Sequence, residues 1–495
     1  MPTQVSAAGE AISMIRFLLN AQPVTLTDCA PDMTVLDFLR TEAVQRGTKE
    51  GCASGDCGAC TVVVAEPDGD RLRYSTLNSC ITFVASLHGK QLLTVEHLEQ
   101  QGALHPVQQA MIEQHGSQCG FCTPGFIMSL FALYKNREQL DRAGVERALA
   151  GNLCRCTGYR PIIDAALSLS DQPRHDAFSV QETEIAQRLQ QMRDDQPGGT
   201  LQAGERRFFL PTTTEELAAL LQAYPQARLV AGGTDLALEV TQQLRQPQVL
   251  IYTGNVPELN RLTDNGSSLS VGAAVSYSRL EPLLARRLPA FARLLERIGS
   301  LQVRNQGTLA GNVANASPIG DTPPVLLALN ARVDVRSGNR CEAIPIERFF
   351  TGYRETALPA QGFIEQIEIP LEPQRALFIY KVSKRIDDDI SAVCAAFSIA
   401  LDDDGIVRDA RLGFGGMAAV PARAPGAEQA LIGQPFTEQG IEAARRALGD
   451  DFSPIDDVRA SGRYRLEVAR NLLLRAVLEH SGDYDDQALE VVQYA

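Results

Sequence analysis

Gly51-CASGDCGAC-Thr61 sets Cys52, Cys57 and Cys60 at C-x4-C-x2-C spacing, and Cys80 follows in Asn78-SC-Ile81. Three thiols in a tight loop with a fourth further on suit a [2Fe–2S] cluster. The residues between them, Ala53, Ser54, Gly55, Gly58 and Ala59, are small, so the backbone can wrap closely and aim N–H groups at anionic sulfur. Flanking patterns read as strands: Met14 to Leu19 with Val24 to Thr27, and Thr61 to Ala65 with Leu72 to Ser75 across Glu66-PDGD-Arg71. Between these hairpins Thr34-VLDFLRTEA-Val44 has helical periodicity. That order suits a small β-grasp domain. Four unrelated cysteines or a zinc knot is the alternative.

A second group, Cys119, Cys122, Cys154 and Cys156, lies in Gln118-CGFCTPG-Phe126 and Asn152-LCRCTGYRP-Ile162. Here the surroundings are helical. Thr123 and Pro124 form an N-cap and first-turn proline before an apolar run to Lys135, and Thr157 or Gly158 precedes Pro161 and the run to Leu169. Helix N-termini beside cysteine pairs favour an anionic iron–sulfide core. A four-cysteine zinc site also fits C-x2-C, but Cys154-Arg-Cys156 is tighter than zinc fingers prefer.

The bulk properties set outer bounds. At 495 residues the expectation is about three domains. With 44% hydrophobic and 21% charged residues the chain reads as globular rather than disordered. A net charge of −14 argues against nucleic-acid binding, and no apolar run is long enough for a membrane span. The N-terminus lacks the basic segment and cleavage site of a secretory signal, so the expected location is cytoplasmic, where cysteines serve as ligands or free thiols rather than disulfides.

The second half contains two glycine-bearing loops. Leu229-VAGGTDL-Ala237 sets a short apolar strand before paired glycines, which let main-chain N–H groups approach a pyrophosphate. Arg304-NQGTLAGNVANASPIGD-Thr322 is again small and polar. Taken singly, each could be a plain turn. Arg411-LGFGGM-Ala418 satisfies G-x-G-x-x-A, but Pro421 and Pro425 follow, so it is predicted to be a sheet turn and not a dinucleotide site.

Taken in order, the cysteine loop, QCGFCTPG and GNLCRCTGY resemble the electron-transfer part of the molybdenum hydroxylases, the xanthine dehydrogenase and aldehyde oxidase group. The resemblance implies an α+β multidomain chain. Its parts would be a plant-type β-grasp [2Fe–2S] domain over 14–98, a helical [2Fe–2S] domain over 99–170, a partly helical linker over 171–200, a two-part α+β FAD-binding domain over 201–374 and an α+β C-terminal domain over 375–490. It implies two [2Fe–2S] clusters, on Cys52, Cys57, Cys60 and Cys80 and on Cys119, Cys122, Cys154 and Cys156. Gln118 and Cys119 would lie towards a molybdopterin cofactor on another polypeptide. FAD would be held by Leu229, Val230, Ala231, Gly232, Gly233, Thr234, Asp235 and Leu236, and by Thr308, Leu309, Ala310, Gly311 and Asn312. Asp321 would contact it, with Ile364 and Lys381 lining its site. KVSKRIDDDI, from Lys381, resembles a loop that sets an acidic residue, here Asp388, near the flavin; a solvated acidic turn is the alternative. Cys29, Cys341 and Cys394 match no ligand position.

The resemblance further implies the small subunit of an NAD-dependent xanthine dehydrogenase, in a heterotetramer of two small and two large subunits. Electrons would pass from a molybdenum-bearing large subunit through both clusters to FAD and on to NAD, with no substrate-transforming residue on this chain. The same role in an aldehyde or N-heterocycle hydroxylase, or a stand-alone flavin and iron–sulfur NADH reductase, are the alternatives.

Overall fold

The computed structural model describes residues 14–136, 140–170 and 176–482. Contacts divide them into two compact units. The first runs to Pro257 and takes in Gly299–Gly307; the second comprises Glu258–Ile298 and Thr308 onward. The boundary thus falls inside the stretch expected to hold FAD. The architecture is the mixed α+β, multidomain one that the sequence predicts.

In the first unit, β1 (Ile15–Leu19), β2 (Gln22–Leu26), β3 (Thr61–Asp68), β4 (Arg71–Asn78) and β5 (Gln91–Leu93) form one sheet in the order β2-β1-β5-β3-β4. β1 pairs parallel to β5 and the other pairs are antiparallel. The β3–β4 hairpin runs on through Glu66, Pro67 and Asp68 and turns at Gly69 and Asp70, so the expected six-residue loop is mostly strand. The helix expected over Thr34–Val44 is shorter and irregular. Thr34 caps Val35–Asp37, and Phe38–Glu42 continues as a π-turn that directs both Phe38 and Leu39 inward.

The helix Thr123–Lys135 is buried along Gly125–Lys135, as expected of an apolar helix enclosed on all sides. Its N-cap is Cys122 rather than Thr123. The 171–200 stretch is no open linker. Asp176, whose carboxylate accepts from Ser179 N–H, caps a helix over Ala177–Asp195 that buries Phe178, Ile185, Ala186, Leu189 and Met192. These side chains join the core around Phe126, Phe131 and Tyr134; residues 171–175 lie outside the described set. A second sheet orders β6 (Gly199–Ala203), β7 (Arg206–Leu210), β8 (Arg228–Val230) and β9 (Val249–Tyr252) as β6-β7-β9-β8, with β7 and β8 both parallel to β9.

The second unit holds an antiparallel sheet of β10 (Leu262–Asp264), β11 (Ser268–Gly272), β12 (Arg332–Ser337), β13 (Arg340–Pro345) and, past a small hairpin of β14 (Phe350–Gly352) and β15 (Glu355–Thr356), β16 (Gly362–Pro370). A further antiparallel sheet runs β17 (Ala376–Val382), β18 (Val393–Leu401), β19 (Val407–Gly415) and β20 (Ala422–Arg423). Helices Pro425–Leu431, Glu442–Asp451 and Gly462–Ser481 share its core. The G-x-G-x-x-A stretch joins β19 to β20, a sheet turn as expected. Among the described residues no helix is long and apolar enough to cross a membrane.

One buried ionic cluster ties the Ala177–Asp195 helix to the cysteine-bearing core. Asp176 accepts from His105 Nε2 at 2.9 Å and from Lys135 Nζ at 2.8 Å. Burial alone would raise its pKa, but these partners outweigh it and hold the carboxyl well below the usual range. A depressed native pKa contributes stability that is complete above the unfolded value of about 3.9 and is lost as pH falls towards the native value. Asp176→Asn is expected to cost about 3 kcal/mol at neutral pH, because Lys135 keeps its charge without an anion. The difference from the parent should shrink below about pH 4. Urea unfolding at both pH values measures this, and a pH-independent difference would contradict an ionised pair.

Candidate functional site

The loop Cys52–Cys60 and the short turn at Cys80 bring four thiols together. Cys60 and Cys80 sulfurs lie 3.3 Å apart, and Cys52 hydrogen-bonds with both Cys57 and Cys80. Those bonds hold Cys52 far below the usual thiol range and push Cys57 and Cys80 up, while Cys80 likewise lowers Cys60. Ser54 N–H donates to Cys52 Sγ at 3.4 Å. Cys60 and Cys80 are buried; Cys52 and Cys57 are half-buried.

The second group is closer to solvent. Cys119 and Cys156 are exposed, with sulfurs 3.5 Å apart, and Cys122 pairs with Cys154. Phe121 N–H and the Cys156 thiol lower Cys119. Burial raises Cys122 to about 12. Burial would also raise Cys154, but the hydroxyl and N–H of Thr157 and the N–H of Cys156 outweigh it, with Thr157 Oγ1 at 3.2 Å and both amides at 3.4 Å. In each group, then, two sulfurs are biased towards thiolate. Among the described residues no three His, Cys, Asp or Glu side chains converge as on a single metal ion; the first group's thiols link in the chain Cys57–Cys52–Cys80–Cys60, and the second group's in two pairs. Of the remaining cysteines, Cys29 and Cys394 are buried and Cys341 is exposed.

The two groups are joined directly. Leu153 N–H donates to the Cys57 carbonyl at 3.0 Å, and Asn152 Nδ2 donates to the Gly58 carbonyl at 3.1 Å and to Thr61 Oγ1 at 3.2 Å. With Nδ2 committed to a carbonyl, Asn152 Oδ1 must face donors. It accepts from Ser129 Oγ at 2.6 Å and from Gln302 Nε2 at 3.1 Å. Gly58 has φ +67°, and a Cβ there would lie 2.2 Å from the Gly151 carbonyl, so no side chain fits the seam. Asn152, Ser129, Thr61 and Gln302 were not among the residues singled out from sequence. Asn152 could have been, since it stands two residues before Cys154; Gln302 sits in no recognisable pattern.

The expected flavin residues fall in both units. In the first, Leu229 and Val230 end β8, Ala231–Asp235 form the loop, and Leu236 opens a short helix to Thr241. Gly232 packs so tightly that a Cβ would lie 2.0 Å from the Gln306 carbonyl. Thr82 and Gln306 side chains pair at 2.9 Å, which ties this loop's packing to the Cys80 segment. In the second, Thr308 caps the helix Leu309–Asn315 by accepting from Gly311 N–H at 2.9 Å, and Asn312 Oδ1 accepts from Thr322 Oγ1 at 2.6 Å. Ile364 is buried on β16. Asp321 and Lys381 are both buried and satisfy one another. Lys381 Nζ and Ser391 Oγ each lie 2.5 Å from a carboxylate oxygen of Asp321. In the loop after Lys381, Asp388 has φ +48°, and Asp389 accepts from Arg385 and Ile390 N–H. Arg297 anchors this loop through the carbonyls of Lys381 and Ile386.

Comparison with known proteins matches four domain families in succession. They are a 2Fe-2S iron–sulfur cluster binding domain over 17–85, a [2Fe-2S] binding domain over 94–167, an FAD binding domain of molybdopterin dehydrogenases over 203–372, and a CO dehydrogenase flavoprotein C-terminal domain over 378–480. Xanthine dehydrogenase of Emericella nidulans is 34% identical over 497 residues, covering 89% of this chain and 36% of that one. Nicotinate hydroxylase hnxS of the same fungus is 29% identical, covering 93% and 40%. The chain therefore spans well under half the length of these relatives. Among solved structures, carbon monoxide dehydrogenase from Hydrogenophaga pseudoflava aligns with TM-score 0.52 and 28% identity over 55% of this chain and 95% of that one. With both iron–sulfur domains and both flavoprotein domains following one another in a single polypeptide, this chain belongs to the molybdenum hydroxylase family and carries its iron–sulfur and FAD domains.

Proposed function

We propose that the chain is the electron-transfer subunit of a xanthine dehydrogenase, linking a molybdenum-cofactor-bearing large subunit to NAD. The observation that carries this reading is the gathering of eight thiols into two groups of four whose backbones meet at the Leu153–Cys57 hydrogen bond of 3.0 Å. In this reading Cys52, Cys57, Cys60 and Cys80 hold one [2Fe–2S] cluster, and Cys119, Cys122, Cys154 and Cys156 the other. Such clusters exchange single electrons, whereas FAD accepts them one at a time and can release a hydride to NAD.

The chain's own residues supply the setting. N–H groups of Ser54, Cys156 and Thr157 donate to sulfur, and donors of this kind stabilise thiolate charge and tune the potential of what the thiolates bind. Gly232 and Gly233 leave main-chain N–H groups free of side chains, as a pyrophosphate requires. Lys381 keeps Asp321 neutralised, so the flavin segment carries no bare buried charge. Exposed Cys119 and Cys156, beside exposed Phe121 and Leu153, make the second group the face offered to the large subunit. Purine hydroxylation is assigned to that partner, in a heterotetramer of two small and two large subunits. The resemblance to nicotinate hydroxylase favours a second reading, the same electron-transfer role in an N-heterocycle hydroxylase.

Freshly isolated chain is expected to contain about four irons and four acid-labile sulfides. Cys57→Ser and Cys119→Ser should each delete one electron paramagnetic resonance signal and spare the other. Stoichiometric zinc, or loss of the same signal in both variants, would overturn the ligand assignment. The isolated chain is also expected to oxidise NADH with a dye but not to oxidise xanthine, and its complex with the large subunit should reduce NAD with xanthine. Reduction by nicotinate but not xanthine in that complex would select the second reading.

A further inference from the structure

Gly299–Gly307 is remote in sequence from both cysteine groups, yet it belongs to their unit. Its short helix, Leu301–Arg304, is capped by Ser300 and places Gln302 at 0% exposure. Gln302 Nε2 donates to Thr61 Oγ1 and to Asn152 Oδ1, each at 3.1 Å. Thr61 opens β3 directly after Cys60, and Asn152 stands two residues before Cys154. One amide group therefore touches the chain beside a cysteine of each group.

Its other atom argues that position, rather than stability, is what this amide supplies. Gln302 Oε1 is buried and has no hydrogen-bond partner among the described residues, which costs about 1–3 kcal/mol. A Cβ on Gly151 would lie 2.2 Å from that oxygen, so the amide packs hard against the Gly151–Asn152 turn, and flipping it would set Oε1 against the acceptor Asn152 Oδ1. Leu153–Cys57, Asn152–Gly58 and Asn152–Thr61 join the loops directly, and Gln302 adds one bond to each side of that seam.

We infer that Gln302 is a positioning residue that fixes the separation of the Cys57–Cys60 and Cys154–Cys156 loops and so sets the coupling between the clusters they hold. The inference rests on the cluster assignment above. Electron exchange through protein falls off exponentially with distance and dipolar spin coupling as its inverse cube, so a small rocking of the loops acts on both.

The test uses the full chain reduced with dithionite. Iron content, the two cluster signals, the spin–spin splitting between them and each midpoint potential are measured for the parent, Gln302→Met and Gln306→Met. Gln306 bonds Thr82 but neither Thr61 nor Asn152, so its variant is the comparison. Expected are parental iron and both signals in all three, with the splitting lost or broadened at least twofold in Gln302→Met and retained in Gln306→Met. Parental splitting in iron-replete Gln302→Met would overturn the proposal. If Gln302→Met fails to hold iron, Gln302→Asn, which keeps the amide but draws it one methylene back from Thr61 and Asn152, decides: a broadened splitting supports the proposal and an unchanged one overturns it. Absence of two iron–sulfur signals in the parent would instead overturn the cluster assignment.

Discussion

The side-chain amide of Asn152 is buried where three pieces of chain meet, and a buried amide must be matched on both its nitrogen and its oxygen. That requirement explains several choices that otherwise look arbitrary. Ser129 is a hydroxyl on the most apolar helix of the unit because Asn152 Oδ1 needs a donor there. Gly58 and Gly125 carry no side chain because a Cβ on either would collide with backbone across the seam, at 2.2 and 2.3 Å. Gln302 arrives from a distant stretch of sequence to meet the same oxygen. Networks of this kind strengthen when complete and are costly when one member is missing, so the two cysteine loops are held as one object.

The same seam organises the electrostatics. Each cysteine group has two sulfurs biased towards thiolate; the donors are local for Cys52 (Ser54) and for Cys154 (Cys156 and Thr157), whereas Cys60 is served by Ser79 and Cys80 from across its group. The charge environment of Cys154 is thus set by its own stretch of sequence, whereas the spacing between loops is set by long-range bonds. The groups differ in access. Two sulfurs of the first are buried, while two of the second are exposed. A pair of sites with one end closed and the other open has a direction built into it.

This split between local and distant determinants also decides what could be read from sequence. Both cysteine groups and their helical or strand settings were legible because ligand spacing, small residues and first-turn prolines are local signals. The Ala177–Asp195 helix was harder. Its buried residues recur at helical spacing, but Gln, Glu and Arg on the other face dominate the composition and give a linker-like stretch. Glu66-PDGD-Arg71 read as a loop because turn-forming residues continue a hairpin that needs only Gly69 and Asp70 to turn. The π-turn after Asp37 follows from packing Phe38 and Leu39 inward together, a tertiary demand with no mark in the periodicity. Gln302 is the extreme case, since its partners lie 150 and 241 positions away.

In the second unit the buried pair Asp321–Lys381 shows how such determinants complicate reading function from substitutions. A buried ion pair adds little net stability because desolvation offsets the attraction, but removing one partner strands the other charge and is strongly destabilising. Lys381 is tied through Asp321 to Ser391, and Cys394 donates to the Asp321 carbonyl, so any single change here disturbs the packing of β17 and β18 against the helix that Asp321 precedes. Loss of flavin in Lys381→Met would therefore follow equally from a lost contact or from a loosened scaffold. The paired change Asp321→Asn with Lys381→Met removes both charges at once, leaves no stranded ion, and separates the two causes. Flavin retained in the double variant assigns the pair to the scaffold; flavin lost from a folded double variant assigns it to binding.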